Sequence, residues 1–214
     1  YYGRQSAMRL DAEFIRDSAL AVSGLLNPAI GGPSVKPYQP AGYYEELNFP
    51  KRTYKPDLNE NQFRRGLYTH WQRQYLHPSL MAFDAPSREE CAADRSLSNT
   101  PLQALTLLND PTYVEAAREF AKLILNSGKT DTGQRLDFAF RRAFSRNAEA
   151  KERDVLAQLL NSRREHFQSH PADAENLLSA GISEVPEDLA VPELAAWTSV
   201  ARAIFNKHEF IVRY

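Results

Sequence analysis

Two helix starts headed by proline are the feature that most limits what this chain can fold into. Thr100 stands directly before Pro101, and Asp110 stands directly before Pro111. Proline suits the first position of a helix, where its missing N–H is not needed, and a Thr or Asp before it can cap the helix. Gln103 occupies the third helical position, so Thr100 and Gln103 are predicted to form a capping box. The sequence therefore predicts two consecutive helices in the middle of the chain.

Apolar residues follow at helical spacing in both of these segments and in three later ones. Gly128 and Gly181 are expected to end helices, the second after a short turn of helix over residues 174–181. Asn147 is expected to cap the helix that follows it. The predicted buried stripes are Leu102, Leu105 and Leu108; Val114, Ala117, Ala121 and Ile124; Leu136, Phe140, Ala143 and Phe144; Leu156, Leu159, Leu160 and Phe167; and Leu194, Trp197, Ala201 and Ile204.

A further helix is predicted near the beginning of the chain and is expected to stop at Asn27-Pro28. Three charged residues, Arg9, Glu13 and Arg16, lie three or four positions apart and are expected to pair on its polar face. Its apolar stripe is wide and comprises Ile15, Ala19, Val22 and Leu26, with Phe14, Ala21 and Leu25 beside them.

Residues 27–60 differ in kind, because they carry six of the 13 prolines and five interleaved aromatic residues. No helical or strand period survives there, and we predict an ordered coil that lies on the helices. The stretch Phe63 to Tyr75 is predicted to be helical, although Gly66 and Tyr68-Thr69 also permit a strand. A short helix is expected from Arg88 to Asp94. Alternation typical of strands is not found over any useful length, so the predicted fold is mainly α, a helical bundle with little or no sheet.

The length of 214 residues suits a single domain, with residues 1–128 as one part and residues 129–214 as C-terminal helices. The first residue is not methionine, and we expect the chain to be a fragment of a larger multidomain protein. The net charge of −1 argues against a nucleic-acid partner, and no apolar run is long enough to span a membrane. The single cysteine, Cys91, excludes an intrachain disulfide, haem attachment through C-x-x-C-H and multi-cysteine zinc sites.

The segment Asp84 to Gln103 holds the strongest polar candidates, namely Asp84, Arg88, Arg95 and Asn99. Two arginines can bind a carboxylate or sulfate, which makes this segment a candidate binding site. The favoured alternative is structural: Asp84 pairs with an arginine, and Asn99 holds a turn before the next helix. Cys91 is expected to be a small buried helical residue rather than a nucleophile activated by His70 or His77.

Metal sites receive little support, because H-E-x-x-H is absent and the calcium-loop-like run from Asp57 lacks its glycine and its final glutamate. His166 and His170 are expected to lie at a solvated helix end.

Aromatic residues supply a second set of candidates. Tyr43 and Tyr44 in the coil, and Arg64 and Trp71 after it, can stack on sugar rings or receive a protein partner. The alternative, which we favour, is that these rings fix the coil to its own helices.

Several strings carry a family resemblance. They include residues 9–17, Gly31-Gly32-Pro33-Ser34-Val35, residues 64–69, Phe83-Asp84-Ala85-Pro86-Ser87 and residues 98–105. Together they closely resemble the planctomycete-specific C-terminal domain of unknown function, the DUF1553 type, over roughly residues 4–126. The resemblance implies an exported, periplasmic location and upstream domains in the same polypeptide, often including a cytochrome-c-like haem domain. It implies no catalytic residues and no cofactor within this fragment.

Two functions follow as hypotheses. The first is a non-catalytic interaction or structural module that docks on its upstream domains through the tyrosine-rich coil. The second is part of an enzyme that processes polysaccharide or sulfated sugar, or is linked to redox chemistry, whose site another domain completes with Asp84, Arg88 and Arg95. Carbohydrate is therefore a possible ligand.

Overall fold

The computed structural model describes residues 7–45, 53–72, 75–87 and 89–213, and it is mainly helical, as the sequence predicts. Strand structure in these ranges is limited to an antiparallel pair, β1 (Met8–Arg9) and β2 (Val212–Arg213), which brings the two ends of the described chain together. Short 3₁₀ helices cover Glu60–Phe63, Gly66–Tyr68 and His208–Phe210. The α-helices are α1 (Ala12–Ser23), α2 (Pro78–Ala82), α3 (Pro101–Asn109), α4 (Pro111–Leu125), α5 (Thr132–Phe144), α6 (Ala150–Ser169), α7 (Pro171–Leu178) and α8 (Val191–Phe205).

Helices α4 and α8 form the centre of the core. α1 packs on one side of α4, while α6 and α7 pack against α8. The predicted stripes of both central helices are buried, and Phe120 of α4 stacks on Phe205 of α8 with ring centroids 5.7 Å apart. Trp197 is fully buried, and its indole N–H donates to Glu193 over 2.9 Å. Helical periodicity therefore located the core correctly.

The helix starts at Pro101 and Pro111 are confirmed, although only one cap forms as expected. Asp110 accepts a hydrogen bond from the Thr112 amide over 2.9 Å and caps α4. The predicted box at Thr100 is wrong, because its side chain makes no capping bond. The Gln103 amide instead donates to the backbone oxygen of Ser98 over 3.2 Å.

The cap of α6 also differs from the prediction. Glu149 and Glu152 form a capping box at its start. Asn147, the expected cap, instead accepts from Arg141 over 2.6 Å. A capping box satisfies two backbone N–H groups reciprocally, so the glutamates displace the asparagine from this role. The short helix ending near Gly181 is confirmed as α7.

Helix α1 ends at Ser23, four residues before the predicted stop, because Gly24 adopts a left-handed conformation with φ of 82°. The prediction that Arg9, Glu13 and Arg16 pair with one another is wrong. Arg16 is fully buried and donates to the backbone oxygens of Gln62 and Arg64 over 2.6 Å and 2.7 Å. The apolar stripe is also narrower than predicted, since Ile15 is buried while Phe14 is 58% exposed.

The predicted coil is irregular in its described parts, residues 27–45 and 53–59, apart from isolated single-residue bridges, and its last residue begins the 3₁₀ helix Glu60–Phe63. Residues 46–52, which include Phe49 and Pro50, lie outside the described ranges. Tyr38 fixes the coil at three atoms. Its backbone N–H donates to the side-chain oxygen of Gln62, its backbone oxygen accepts from His77, and its hydroxyl donates to Glu115. The coil is thus bonded to the helical body through its backbone as well as its ring.

The predicted helix from Phe63 to Tyr75 is wrong. In the described part of this stretch, 3₁₀ turns cover Glu60–Phe63 and Gly66–Tyr68, and single-residue bridges form at Arg64, Thr69, Gln72 and Tyr75. The buried Arg16 side chain binds the backbone oxygens of Gln62 and Arg64 and stabilises this irregular path.

Residues 89–94 form bends and irregular coil, so the helix expected from Arg88 to Asp94 is also wrong over that range. Arg88 itself lies outside the described residues.

Candidate functional site

An open groove of about 570 Å³ lies between α1 and the turn at residues 65–67. Gly66 brings the turn against the helix: a Cβ at this position would lie 2.9 Å from Cα of Glu13, and its amide donates to Asp17 over 2.6 Å. Only glycine permits so close an approach of two backbones. Phe14 and Leu67, both more than half exposed, line the groove.

Arg95, one of the predicted site residues, lines this groove but is already paired. Its guanidinium donates to Glu13 over 2.8 Å and lies 3.4 Å from a carboxylate oxygen of Asp11. The hydrogen bond to Glu13 raises the pKa of Arg95 above its ordinary value. Two carboxylates therefore face one guanidinium, and an anionic ligand would have to displace them.

Asp84 lies in a structural network rather than in the groove. It adopts a left-handed backbone conformation with φ of 58°, and it accepts from Arg9 over 2.7 Å and from the Ser98 amide over 2.9 Å. Burial alone would raise its pKa, but the hydrogen bonds from Ser98 and Arg9 hold the pKa of Asp84 below its ordinary value. Arg9 also donates to the backbone oxygens of Phe83 and Ser98.

Asp84 pairs with an arginine, as expected, and the partner is Arg9, 75 residues away in sequence. Ser98, rather than the exposed Asn99, holds the turn. These bonds tie β1, the end of α2 and the loop before α3 together.

Cys91 is exposed in an irregular loop, so the expectation of a buried helical cysteine is wrong. It lines a cavity of about 450 Å³ together with Asp84 and Arg95. His70 and His77, the two candidate activating bases, form hydrogen bonds with other residues. His70 bonds to Ser34, and His77 bonds to Ser79 and to the backbone oxygen of Tyr38.

The described ranges contain no group of three or more His, Cys, Asp or Glu side chains arranged to hold a metal ion. His166 and His170 stack at the exposed end of α6 with centroids 4.7 Å apart, and His166 pairs with Asp173 over 2.9 Å.

Arg64 is buried and holds the glycine-rich turn of the coil. Its guanidinium donates to the backbone oxygens of Pro33, Gly31 and Ala29, and it lies 4.0 Å from the centroid of the Tyr68 ring. A guanidinium with these contacts stabilises the turn and has little remaining capacity for a ligand.

Trp71, another predicted site residue, is half-buried, and its indole N–H donates to the backbone oxygen of Ser87 over 2.8 Å. It therefore connects the segment after the coil to the loop that follows α2.

The predicted tyrosines form an aromatic cluster with two others. Tyr44 is only 7% exposed, and its ring lies edge-on to Tyr54 and Tyr75 at centroid distances of 5.2 Å and 5.8 Å. The half-buried Tyr43 donates its hydroxyl to the backbone oxygen of Leu76 over 3.1 Å. A cavity of about 380 Å³ adjoins Tyr43, Tyr44 and Tyr54. These rings pack mainly on one another, so sugar stacking on them stays a prediction.

Sequence reasoning missed a buried polar clamp between α4 and the turn after α7. Glu115, fully buried, accepts from the amides of Ile182 and Ser183 over 2.8 Å and 2.7 Å, and from Tyr38. Arg118 donates to backbone oxygens of the same turn, including Ser183 over 2.5 Å. Neither residue breaks the helical pattern, so the sequence carries no local signal for the clamp.

The prediction that Leu102 and Leu105 of α3 are buried is also wrong. Leu102 and Leu105 are 57% and 54% exposed, and Leu97 just before the helix is equally open, whereas Leu107 is buried. Leu102 and Leu105 are three residues apart and share one helical face. This exposed pair, called the α3 face below, is an apolar surface that α3 directs to solvent.

Comparison with known families identifies the chain. The family model described as "PSD1: Protein of unknown function (DUF1553)" matches residues 1–160. The chain belongs to the DUF1553 family. No curated protein and no solved structure shows significant similarity to this DUF1553 chain.

The family assignment leaves the finer expectations, planctomycete specificity and a cytochrome-c-like neighbour, as predictions. Among the described helices of the DUF1553 chain, none combines the length and the apolar character that crossing a bilayer requires.

Proposed function

We propose that this DUF1553 chain is a non-catalytic interaction module of a larger exported bacterial protein, and that its α3 face docks on another domain of the same polypeptide. The observation that carries the proposal is the orientation of Leu102 and Leu105. Both lie more than half exposed on one face of a helix that is firmly fixed to the body by Leu107 and Gln103. Scattered exposed leucines are common, but neighbouring ones on a rigid helix are typical of an interface.

The free energy of association that the α3 face can contribute is moderate. Full burial of an exposed leucine contributes about 1.5–3 kcal/mol, so covering the remaining half of each side chain contributes about 1 kcal/mol per leucine. Two leucines therefore contribute roughly 2 kcal/mol, which corresponds to about a thirtyfold change in association. Such a contribution suits docking within one polypeptide, where the linker keeps the effective concentration high.

The polar candidates support the non-catalytic part of the proposal. Asp84 accepts from Arg9 and Ser98, Arg95 donates to Glu13, and Arg64 holds a turn. Each of these groups therefore stabilises the fold through bonds that a reaction would have to break.

The proposal is tested with the longer polypeptide, cleaved at a protease site placed before this chain. We expect Leu102→Ser combined with Leu105→Ser to weaken co-elution of the two halves by about thirtyfold while leaving the free energy of unfolding within about 0.5 kcal/mol of the parent. Val155→Ser on α6 is the matched control, because Val155 is similarly exposed on another helix. Equal co-elution of the double variant and the parent would show that the α3 face is not the docking surface.

A second candidate, participation in a sugar-processing enzyme, rests on the position of Arg95. This residue lines both the groove and the 450 Å³ cavity that contains Asp84. A sulfated glycan would then compete with Glu13 for the guanidinium. Binding of sulfated but not unsulfated oligosaccharide, lost in Arg95→Gln, would favour this candidate over the docking module.

A further inference from the structure

Helices α6 and α8 border a pocket of about 460 Å³, a volume within the range of roughly 300–1,000 Å³ that is typical of ligand-binding pockets. Its α6 residues recur at intervals of four, and its α8 residues at intervals of three and one, so one face of each helix forms a wall. The side chains of these two walls are Leu159, Arg163 and Phe167 of α6 and Ser199, Arg202 and Ala203 of α8. The site is called the α6–α8 pocket below.

Apart from the two arginines, the walls of the α6–α8 pocket are mainly apolar. Phe167 is buried, Leu159 and Leu177 are half-buried, and all three contribute apolar surface to the pocket. Such surface in a concave site favours a ligand with an apolar body, because water is released from both when they meet. An inorganic ion would leave this surface in contact with water.

The Arg202 guanidinium is held in position by a neutral group. Its Nε and one Nη donate to the backbone oxygen of Leu108, the first over 2.9 Å. The other Nη makes no hydrogen bond with any described residue. A backbone oxygen carries no net charge, so the positive charge of Arg202 is fixed at the pocket without being neutralised.

Arg163 is a second cation without a counter-charge. It is exposed and forms no hydrogen bond or ion pair with the described part of the chain, whereas its neighbour Arg164 pairs with Glu193 over 2.5 Å. Among the described residues, no acidic side chain lines the pocket. Burial lowers the pKa of Arg202 below its ordinary value, and the nearby Arg163 cation lowers it further. The two guanidiniums therefore repel each other, and an anion between them would remove that repulsion.

We infer that the α6–α8 pocket binds an organic acid whose carboxylate lies between Arg163 and Arg202 and whose apolar body packs on Leu159 and Phe167. A carboxylate has two oxygen atoms, so one oxygen can accept from each guanidinium. A cation of the same shape would be repelled by both arginines. The inference goes beyond the proposed function, because neither docking through the α3 face nor sugar processing at Arg95 uses this pocket.

Octanoate is a suitable probe, because it combines a carboxylate with a short aliphatic chain. Isothermal titration calorimetry is expected to show saturable binding of octanoate to one site, at least about tenfold tighter than that of acetate, since burial of only two methylene groups corresponds to roughly this factor. Octylammonium, which has the same chain and the opposite charge, is expected not to bind. In two-dimensional NMR spectra, the amide signals of Arg163 and Ala203 are expected to shift as octanoate is added.

Two variants test the two parts of the site separately. Arg163→Gln removes one guanidinium that holds no other part of the described chain, and it is expected to raise the dissociation constant of octanoate at least about fivefold through loss of a charge-assisted hydrogen bond. Ala203→Phe keeps both guanidiniums but fills the pocket, and it is expected to weaken binding by a similar factor. Lys151→Gln is the matched control, because it removes one positive charge from an exposed position on the same helix outside the pocket. Urea unfolding verifies that each variant is folded before its binding is measured.

Each outcome decides the inference. Absence of octanoate binding to the folded parent overturns it, as does octanoate binding that Arg163→Gln and Ala203→Phe leave unchanged. Equal binding of octanoate and octylammonium would show that apolar contact alone holds the probe, and would also overturn it. Weaker co-elution of Arg163→Gln with the upstream half, from a chain that does not bind octanoate, would assign the two guanidiniums to domain docking instead. Failure of the α3 variants leaves the inference untouched, because octanoate binding is measured on this chain alone.

Discussion

The buried His77 and the half-buried Asp110 are predicted to have opposite effects on stability as pH falls. His77 is 3% exposed, its Nε2–H donates to the backbone oxygen of Tyr38, and its Nδ1 accepts from Ser79. Burial, together with the nearby Arg16 cation, lowers the pKa of His77 from 6.5 to about 4. The neutral ring therefore contributes stability that is fully present above pH 6.5 and is lost as pH falls toward 4.

Asp110 behaves in the opposite way. It caps α4 through the Thr112 amide, and burial raises the pKa of its carboxyl from 3.8 to about 6 despite that bond. A raised pKa means that the protonated form is preferred in the folded state. Its stabilising contribution is fully present below pH 3.8 and is lost as pH rises through 6.

The two contributions nearly cancel in the parent protein. Between pH 7.5 and pH 5, protonation linked to His77 costs about 2 kcal/mol, while protonation of Asp110 returns about 1.4 kcal/mol. Replacing Asp110 with Asn keeps the side-chain oxygen that caps α4 but removes the titration. Asp110→Asn is therefore expected to lose about 2 kcal/mol of stability over this interval, against less than about 1 kcal/mol from this pair in the parent.

The assay is urea unfolding at pH 7.5, 6 and 5, followed by far-ultraviolet circular dichroism. His77→Gln, which keeps an N–H for Tyr38, is the reciprocal variant and is expected to gain about 1.4 kcal/mol relative to its own stability at pH 7.5. Other titrating groups are common to all three proteins, so differences between their pH profiles isolate the pair. Parallel profiles for parent and Asp110→Asn would refute the assignment of these opposing shifts.

Two further predictions concern the loops that carry no regular structure. Gly181→Ala is expected to lower the free energy of unfolding by at least about 2 kcal/mol, because Gly181 has φ of 87° and an added Cβ would collide with the Glu115 carboxylate. Gly128→Ala is the control: Gly128 has φ of 73° but open space around it, so the loss measured in the same urea titration should be only about 1 kcal/mol. Tyr44→Ala is expected to lower the free energy of unfolding by about 3 kcal/mol, and Tyr43→Ala by clearly less, because only the Tyr44 ring is buried. Equal losses of stability in thermal unfolding would contradict the packing described for the tyrosine cluster.

Much of the helical fold could be predicted because the signals for it are local. Pro111 after Asp110 fixes the start of α4, and apolar residues of α4 and α8 recur on one face that the core buries completely. Such periodicity depends only on neighbours three or four residues away. The same reasoning failed for Phe63 to Tyr75, where contacts with distant α1 decide the path: Gly66 packs against Glu13, and Arg16 binds the backbone oxygens of Gln62 and Arg64.

The candidate site was less predictable because its bonds join distant parts of the chain. The sequence correctly indicates that Asp84 pairs with an arginine, but it cannot select Arg9, which is 75 positions away. Glu115 and Arg118 sit within a regular helical pattern, and their role depends on the turn near Gly181. A contact of this kind has no periodic signature and appears only once the elements are packed.

The errors in apolar patterning fall on particular helices, and that distribution supports the α3 face as a binding surface. Sequence periodicity predicts burial for Phe14 and Ala21 on α1 and for Leu102 and Leu105 on α3, yet the fold leaves all four in solvent. The stripes of α4 and α8, predicted by the same rule, are buried. Helices whose apolar faces exceed what their own fold covers are those for which another surface is expected. The α3 double variant tests this reasoning for Leu102 and Leu105, and unchanged co-elution would show that the burial error on this helix does not mark a binding surface.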